Sequence, residues 1–271
     1  MGLTKDLRIA LWQCESRTGD VPGNMARLDA ALEESARRSV DLLVTPEMVV
    51  SGYSLDAEAA RHLADPPGGA IAEQVRSMAR HHRVGVLYGC AERGREGLVY
   101  NAIRCVDRSG TPVATHHKTH LFGDLDRGMV TPGATVPPVV DVGGWRLGLL
   151  TCYEVEFPEL VRSLAVRGAD AVCVPTANMI EYDAVQDVLL RARALENQVF
   201  VAYANYCGRE GDLVYGGRSE IVAPTGEVRV EAGREPDLVV ADLDRSTLAR
   251  SRLRYPYLAD RRPDLYRRGW L

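Results

Sequence analysis

Thr151-Cys152-Tyr153-Glu154-Val155-Glu156-Phe157-Pro158-Glu159 follows the apolar run Leu147–Leu150 and leads into a helix. The helix signals are Pro158 at its start, Leu160, Leu164 and Ala165 on one face, and Gly168 past its end. Cys152 therefore stands at a strand-to-helix junction, close to unpaired amide N–H groups and the positive end of a helix. Such a setting lowers a thiol pKa and exposes the sulfur. A working thiol also needs a proton acceptor and a nearby cation. Two upstream motifs offer them. Thr45-Pro46-Glu47 follows the short apolar strand Asp41–Thr45, which Pro46 ends by removing a ladder donor. His117-Lys118-Thr119-His120-Leu121-Phe122-Gly123 closes another strand. Taken singly, Glu47 and Lys118 read as solvated surface charges. Taken together with Cys152 they supply a carboxylate, an ammonium and a thiol, which can cleave a carbon–nitrogen bond without metal or cofactor.

The rest of the chain alternates strands with helices. Leu7–Cys14 alternates as a strand, and Pro22–Arg38 carries Met25, Leu28, Leu32 and Ala36 at helical spacing. Gly69–His82 reads as a second helix, then Val84–Ala91, Val99–Val106 and Pro112–His116 as strands separated by turns. Lys118–Pro138, rich in Gly, Pro and Asp, reads as a long loop, and loops of that length are usually functional or disordered. Val139–Val142 and Trp145–Leu150 flank a Gly143-Gly144 turn. Ala171–Val174, Val199–Tyr206, Ser219–Ala223, Glu227–Val230 and Leu238–Leu243 complete the strands, and Asp183–Asn197 is a further helix. This order predicts layered α/β packing.

Composition narrows the function classes. The 271 residues carry a net charge of −4, against the basic surplus usual in nucleic-acid binders. No apolar run approaches the roughly 18 residues of a membrane span, and no signal-peptide core is seen. Asp6 stands where a myristoylation signal after Gly2 wants Ser or Thr. Six dispersed cysteines without a CxxC pair read as free thiols of a cytoplasmic protein. Cys14, Cys90, Cys105 and Cys173 fit apolar strands as small hydrophobes, and Cys207 follows a strand. Without a linker or composition break, residues 1–271 are expected to form a single domain, with a C-terminal tail from about residue 255.

Taken together, the three motifs resemble the nitrilase (carbon–nitrogen hydrolase) superfamily, over roughly Leu7 to Leu258. Arg191-Ala192-Arg193-Ala194-Leu195-Glu196-Asn197-Gln198, Tyr203-Ala204-Asn205-Tyr206-Cys207-Gly208 and Pro175-Thr176-Ala177-Asn178-Met179 look like its aliphatic amidase branch, which includes 5-aminopentanamidase and R-stereoselective amidases. The resemblance implies a four-layer α-β-β-α sandwich, usually dimerised through a helical face. It implies a Glu–Lys–Cys triad of Glu47, Lys118 and Cys152. A second acidic residue eight positions after the Lys falls on Asp126, in place of the usual Glu. The Cys motif also departs from many relatives: Glu156 stands where they have Arg, and Glu154 where they have Asp.

The expected activity is thiol-dependent hydrolysis of a small aliphatic primary amide to an acid and ammonia through a Cys thioester. Glu47 would be the general base, with Lys118 and the Tyr153 backbone N–H stabilising the oxyanion. Glu156, Asp183 and Asp126 could make an acidic pocket for an ω-amino or ω-guanidino amide such as 5-aminopentanamide, or could equally hold Arg side chains or cap helices. Tyr53, Asn178 and Tyr182 could line its wall. Rival activities are nitrile or N-carbamoyl amino acid hydrolysis, and outside enzymes a non-catalytic binding or scaffold subunit. A zinc site on His116, His117 and His120 or on His81 and His82 lacks ligand spacing, and adjacent strand histidines face opposite ways. Gly143-Gly144 lacks a nucleotide-loop pattern. Tail residues Tyr255, Tyr257, Tyr266 and Trp270, with Arg261-Arg262 and Arg267-Arg268, could dock on a partner subunit or stay loosely ordered.

Overall fold

Leu7, Ile9 and Leu11 face one way along the first strand while Ala10 faces the other. That alternation, repeated in two sheets, sets the architecture. The computed structural model describes residues 5–266. The first sheet has the order β14-β1-β2-β3-β4-β5, from β1 Leu7–Gln13, β2 Leu42–Val44, β3 Gly85–Arg93, β4 Val99–Val106, β5 Pro112–His117 and β14 Asp237–Leu243. The second has the order β13-β12-β9-β8-β7-β6, from β6 Val139–Val142, β7 Trp145–Leu149, β8 Ala171–Pro175, β9 Phe200–Ala204, β12 Glu220–Val222 and β13 Val228–Glu231. Each sheet has three parallel central strands, β1–β2–β3 and β7–β8–β9, with antiparallel neighbours outside them.

Three buried apolar clusters show the layering. One, with Ile9, Leu11, Leu87, Ile103, Leu147, Leu149, Phe200 and Ile221, joins the two sheets face to face. A second packs Leu43, Val86 and Tyr88 from the opposite face of the first sheet against Met25, Leu28 and Leu32 of α1 (Val21–Arg37) and Val75 and Ala79 of α3 (Ala70–His82). The third packs Val172, Val174, Val201 and Val222 against Val161 and Leu164 of α5 (Pro158–Val166) and Ala194 of α6 (Arg191–Asn197). The result is the expected α-β-β-α sandwich. Among the described residues no helix is long and apolar enough to cross a membrane.

Several elements differ from the expectation. Lys118–Pro138 contains α4 (Gly123–Met129), whose Gly- and Asp-rich sequence has poor helix propensity and is held by tertiary bonds. Asp183–Asn197 is not one α-helix. A π-helical segment, Val185–Leu190, precedes α6, and wide turns of this kind recur at functional sites. α2 (Ala57–Leu63), the hairpin of β10 (Cys207–Glu210) and β11 (Leu213–Gly216), and α7 (Arg245–Arg254) were not foreseen. The tail contains α8 (Pro263–Tyr266). Gly2, Arg267, Arg268 and Trp270 lie outside the described residues.

Candidate active site

Glu47 enters the site from the carboxyl end of the central strand β2, where open α/β sheets place their ligands. Its N–H donates to the Thr176 carbonyl (3.2 Å) just past β8, so a backbone bond joins the two sheets here. Met48 then turns the chain at φ 48°. Gly89 lies against this turn, and any Cβ there would run into the Met48 amide. Glu47 is fully buried. Its Oε1 accepts from Asn101 Nδ2 (2.6 Å) and Lys118 Nζ (2.8 Å), while Oε2 has no hydrogen-bond partner among the described residues. Burial, only partly offset by Lys118, pushes the Glu47 carboxyl above its ordinary range.

Lys118 follows β5. Its own N–H donates to the Asn101 carbonyl (2.9 Å), and its carbonyl accepts from Gly133 N–H (2.8 Å). The fully buried ammonium sits between two carboxylates, Glu47 Oε1 at 2.8 Å and Asp126 Oδ2 at 2.6 Å. Burial pulls its pKa down, but the charges of Glu47, Cys152 and Asp126 together outweigh that and raise it above the ordinary lysine value. α4 delivers Asp126, whose carboxylate also accepts from Phe122 N–H (2.8 Å) and the Tyr53 hydroxyl (2.9 Å). The Tyr53 ring lies 5.9 Å from Nζ.

Cys152 begins a 3₁₀ turn, Cys152–Glu156, at the end of the strand Trp145–Leu149. Its φ is 49°, a left-handed conformation that side chains rarely adopt and that clusters at functional sites. The α6 residue Arg193 fixes the far end of the turn, through Nε to the Val155 carbonyl (3.0 Å) and Nη2 to the Glu156 carbonyl (2.6 Å). The thiol departs from expectation: it is buried, and its pKa lies well above the ordinary value. Burial and then the Glu47 charge outweigh Lys118 and the backbone hydrogen bond from Ala177. A helix N-terminus does not win here, because the 3₁₀ turn separates the sulfur from α5.

Glu154 is fully buried, and its carboxylate bridges the two sheets. It accepts from His116 Nε2 (2.8 Å), Thr119 N–H (2.8 Å), Thr119 Oγ1 (2.6 Å) and Thr151 N–H (2.8 Å). Burial opposes its charge, but His116 and Thr119 hold its pKa below the ordinary value. His117 turns instead to Glu92 (2.8 Å), so the adjacent histidines diverge.

The expected substrate residues divide. Tyr53 joins the cluster through Asp126. Tyr182 stacks edge-on against Phe122, whose ring meets Tyr153 the same way, both pairs at 5.5 Å between centroids. Asn178 is buried in a side-chain network with Asn205 and Gln186. Asp183 does not offer a free carboxylate, because Arg234 and Arg218 neutralise it. Asp126 is likewise occupied by Lys118. Glu156 differs: half-buried, with its carboxyl raised by burial against the pull of Lys118 and Arg193, and with no side-chain hydrogen bond or ion pair found for it among the described residues. A cavity of about 420 Å³ lies alongside, lined in part by Thr119, His120, Tyr153 and Phe157, the first and third being chain neighbours of Lys118 and Cys152. Asn101 and Arg193 escaped the sequence reading. The signal for Asn101 was a lone amide inside the apolar run Val99–Val106.

The carbon–nitrogen hydrolase family model matches residues 8–253. The chain belongs to this family. A protein called hydrolase in pqqF 5'region, from Pseudomonas protegens, is 47% identical over 97% of this chain and 91% of its own length. An (R)-stereoselective amidase from Pseudomonas sp. is 37% identical over 94% of this chain and 92% of its own. Among solved structures, a Glu-to-Gln mutant of the amidase from Nesterenkonia sp. AN1 superposes with a TM-score of 0.84 at 36% identity, over 100% of both chains. In that structure the acetamide moiety of fluoroacetamide is covalently added at the active site cysteine. These likenesses place the chain in the amidase branch of the nitrilase superfamily.

Proposed function

We propose that this carbon–nitrogen hydrolase cleaves a small aliphatic primary amide to its carboxylic acid and ammonia through a thioester on Cys152. The observation that carries this is the buried Lys118 ammonium held between Glu47 and Asp126, with Glu47 Oε2 unpartnered among the described residues. Because burial holds the thiol above its ordinary pKa, its proton must leave as it attacks, and the buried Glu47 carboxylate is the base that takes it. The sulfur bonds to the amide carbon. Lys118 and the Tyr153 N–H meet the oxyanion, where one such donor contributes roughly 3–4 kcal/mol away from water. Glu47 passes its proton to the leaving nitrogen, ammonia departs and the thioester remains. Glu47 then deprotonates a water, which attacks the thioester and expels the thiol.

The finer proposal is a cationic amide, such as an ω-amino or ω-guanidino amide of the 5-aminopentanamide type. Around the site the three carboxylates of Glu47, Asp126 and Glu156 outnumber the two cations that act on them, Lys118 and Arg193. An excess of one sign attracts a substrate of the other. A homodimer through the helical face belongs to the same proposal, and Val166 on α5 and Val188 on the π-helical segment are exposed apolar side chains there.

Ammonia release from 5-aminopentanamide, 4-guanidinobutanamide, neutral aliphatic amides, nitriles and N-carbamoyl amino acids tests all of this, with Cys152→Ala beside the wild type. Release from cationic amides that vanishes in Cys152→Ala supports both levels. Release confined to neutral amides retains the thioester route and discards the cationic preference. Normal turnover by Cys152→Ala sinks the mechanism.

A further inference from the structure

We infer that Glu154 is the positioning residue that sets the Lys118 ammonium and the Cys152 thiol at their working separation, an inference that rests on the amidase chemistry proposed above. Lys118 ends a strand of the first sheet and Cys152 follows a strand of the second. The sheets meet mostly through apolar side chains, and hydrophobic contact is non-directional; the directional bonds between them include Glu47 N–H to the Thr176 carbonyl and Ser219 to Gln13 Oε1, neither of which involves Lys118 or the Cys152 turn. Such a contact holds two sheets together without fixing an ångström of slide, whereas a reacting pair loses about 100-fold in rate when misplaced by about 1 Å. Directional bonds must supply the register.

Glu154 makes the ones that flank Lys118 and Cys152. On the first-sheet side it takes His116 Nε2, the Thr119 N–H and the Thr119 hydroxyl, which bracket Lys118 in the chain. On its own side it takes the Thr151 N–H, immediately before Cys152. Four donors thus converge on one carboxylate with no exposed side-chain surface. Its negative charge matters as well as its shape. Both oxygens accept, and a glutamine would present an amide N–H₂ to donors on one side. Glu154 reaches no reacting atom itself, so its action is through Thr119 and Thr151. Glu156, two residues further along the same turn, receives no comparable set of donors.

The test measures kcat and KM for a hydrolysed amide, the rate at which iodoacetamide alkylates Cys152 without substrate, and the melting temperature. The variants are Glu154→Gln, Glu154→Asp, Thr119→Val and Thr119→Ser. Glu154→Gln is expected to lower kcat by about 100-fold with KM little changed, as a geometric fault should. It should slow Cys152 alkylation at least about tenfold, because Glu47 and Lys118 no longer address the sulfur correctly. Thr119→Val removes one donor to Glu154 together with the hydroxyl's contact to His120 Nδ1, and should lower kcat by about tenfold, more than its fall in melting temperature accounts for, with Thr119→Ser restoring it. In the double variant Glu154→Gln with Thr119→Val, the losses should not add, because both act on one network. Glu154→Asp should fall between wild type and Glu154→Gln. If Glu154→Gln fails to fold, Thr119→Val carries the test. Folded variants with wild-type kcat and wild-type alkylation rates overturn the inference, as does activity that merely follows the folded fraction. If the amidase reading itself is wrong, wild type will turn over no amide, and the alkylation rates still decide the positioning role.

Discussion

The Lys118 corner and the Cys152 corner stand at the ends of two similarly built sheets, yet they are held in opposite ways. Lys118 is held by charge: Glu47 and Asp126 flank a buried ammonium, and Asn101, Tyr53 and Phe122 hold those carboxylates in turn. Cys152 is held by backbone: a left-handed φ and a turn whose far carbonyls are gripped by Arg193. A charge-held corner resists rearrangement because each ion is stranded if another is removed. A backbone-held corner stores strain and tolerates loss of its side chain. Activity and stability should therefore separate between the two corners.

The largest effect is expected at Lys118. Lys118→Ala should abolish turnover and also destabilise the fold by about 3–5 kcal/mol, since two buried carboxylates lose their shared cation. Urea unfolding measures the second loss. Its pH dependence has a definite sign. Glu47 already has a folded pKa above its unfolded value, so its contribution is most favourable below the unfolded pKa and is lost as pH rises through the folded one. Without Lys118 that folded pKa rises further. The gap between variant and wild type should widen from acid toward neutral pH. A gap independent of pH would show that Lys118 holds the corner by packing rather than by charge.

A smaller effect is expected at Glu156, the carboxylate of the Cys152 corner that no donor secures among the described residues. Glu156→Gln should lower kcat/KM for a cationic amide about three- to tenfold, a range set by partial solvent screening, and leave a neutral amide unchanged. In wild type the preference should fade as pH drops through the raised Glu156 pKa, because the protonated acid attracts no cation. Equal losses on both amides would make Glu156 a support of the turn, not a selector.

How much of this could be read from the sequence differs between the corners in the same way. Strand ends, motif order and the layered fold are local or repetitive patterns, so the sequence could offer Glu47, Lys118 and Cys152 as candidates at strand ends. What fixes them is not local. Asn101 reaches Glu47 across 54 residues, and His116 reaches Glu154 across 38. Asp183 sits beside the expected pocket residues in sequence, yet its charge is met by Arg234, 51 residues away. Asp126 entered only through the family resemblance, and the helix that delivers it lies in a stretch whose propensity predicts a loop. The thiol pKa was misjudged for a related reason. Sequence shows a neighbouring helix start, whereas burial depends on the whole fold, and burial dominates.

The smallest effect is expected where the backbone does the holding. Cys152→Ala and Cys152→Gly should both lack turnover, and Cys152→Ala should unfold within about 1 kcal/mol of wild type, since a small buried thiol with few partners is lost. Glycine is the informative one. At φ 49° a Cβ clashes with its own backbone, a strain of roughly 1–2 kcal/mol for an ordinary residue. Glycine relieves that strain but adds freedom to the unfolded chain worth roughly 0.5–1 kcal/mol. The strain is the larger of the two, so Cys152→Gly should be as stable as Cys152→Ala or up to about 1 kcal/mol more stable, the reverse of the order inside a helix or strand. Denaturant midpoints of the two inactive variants read this difference without any contribution from substrate. If glycine proves less stable than alanine, the turn is not strained at Cys152, and its conformation is imposed by Arg193 and Glu154 alone.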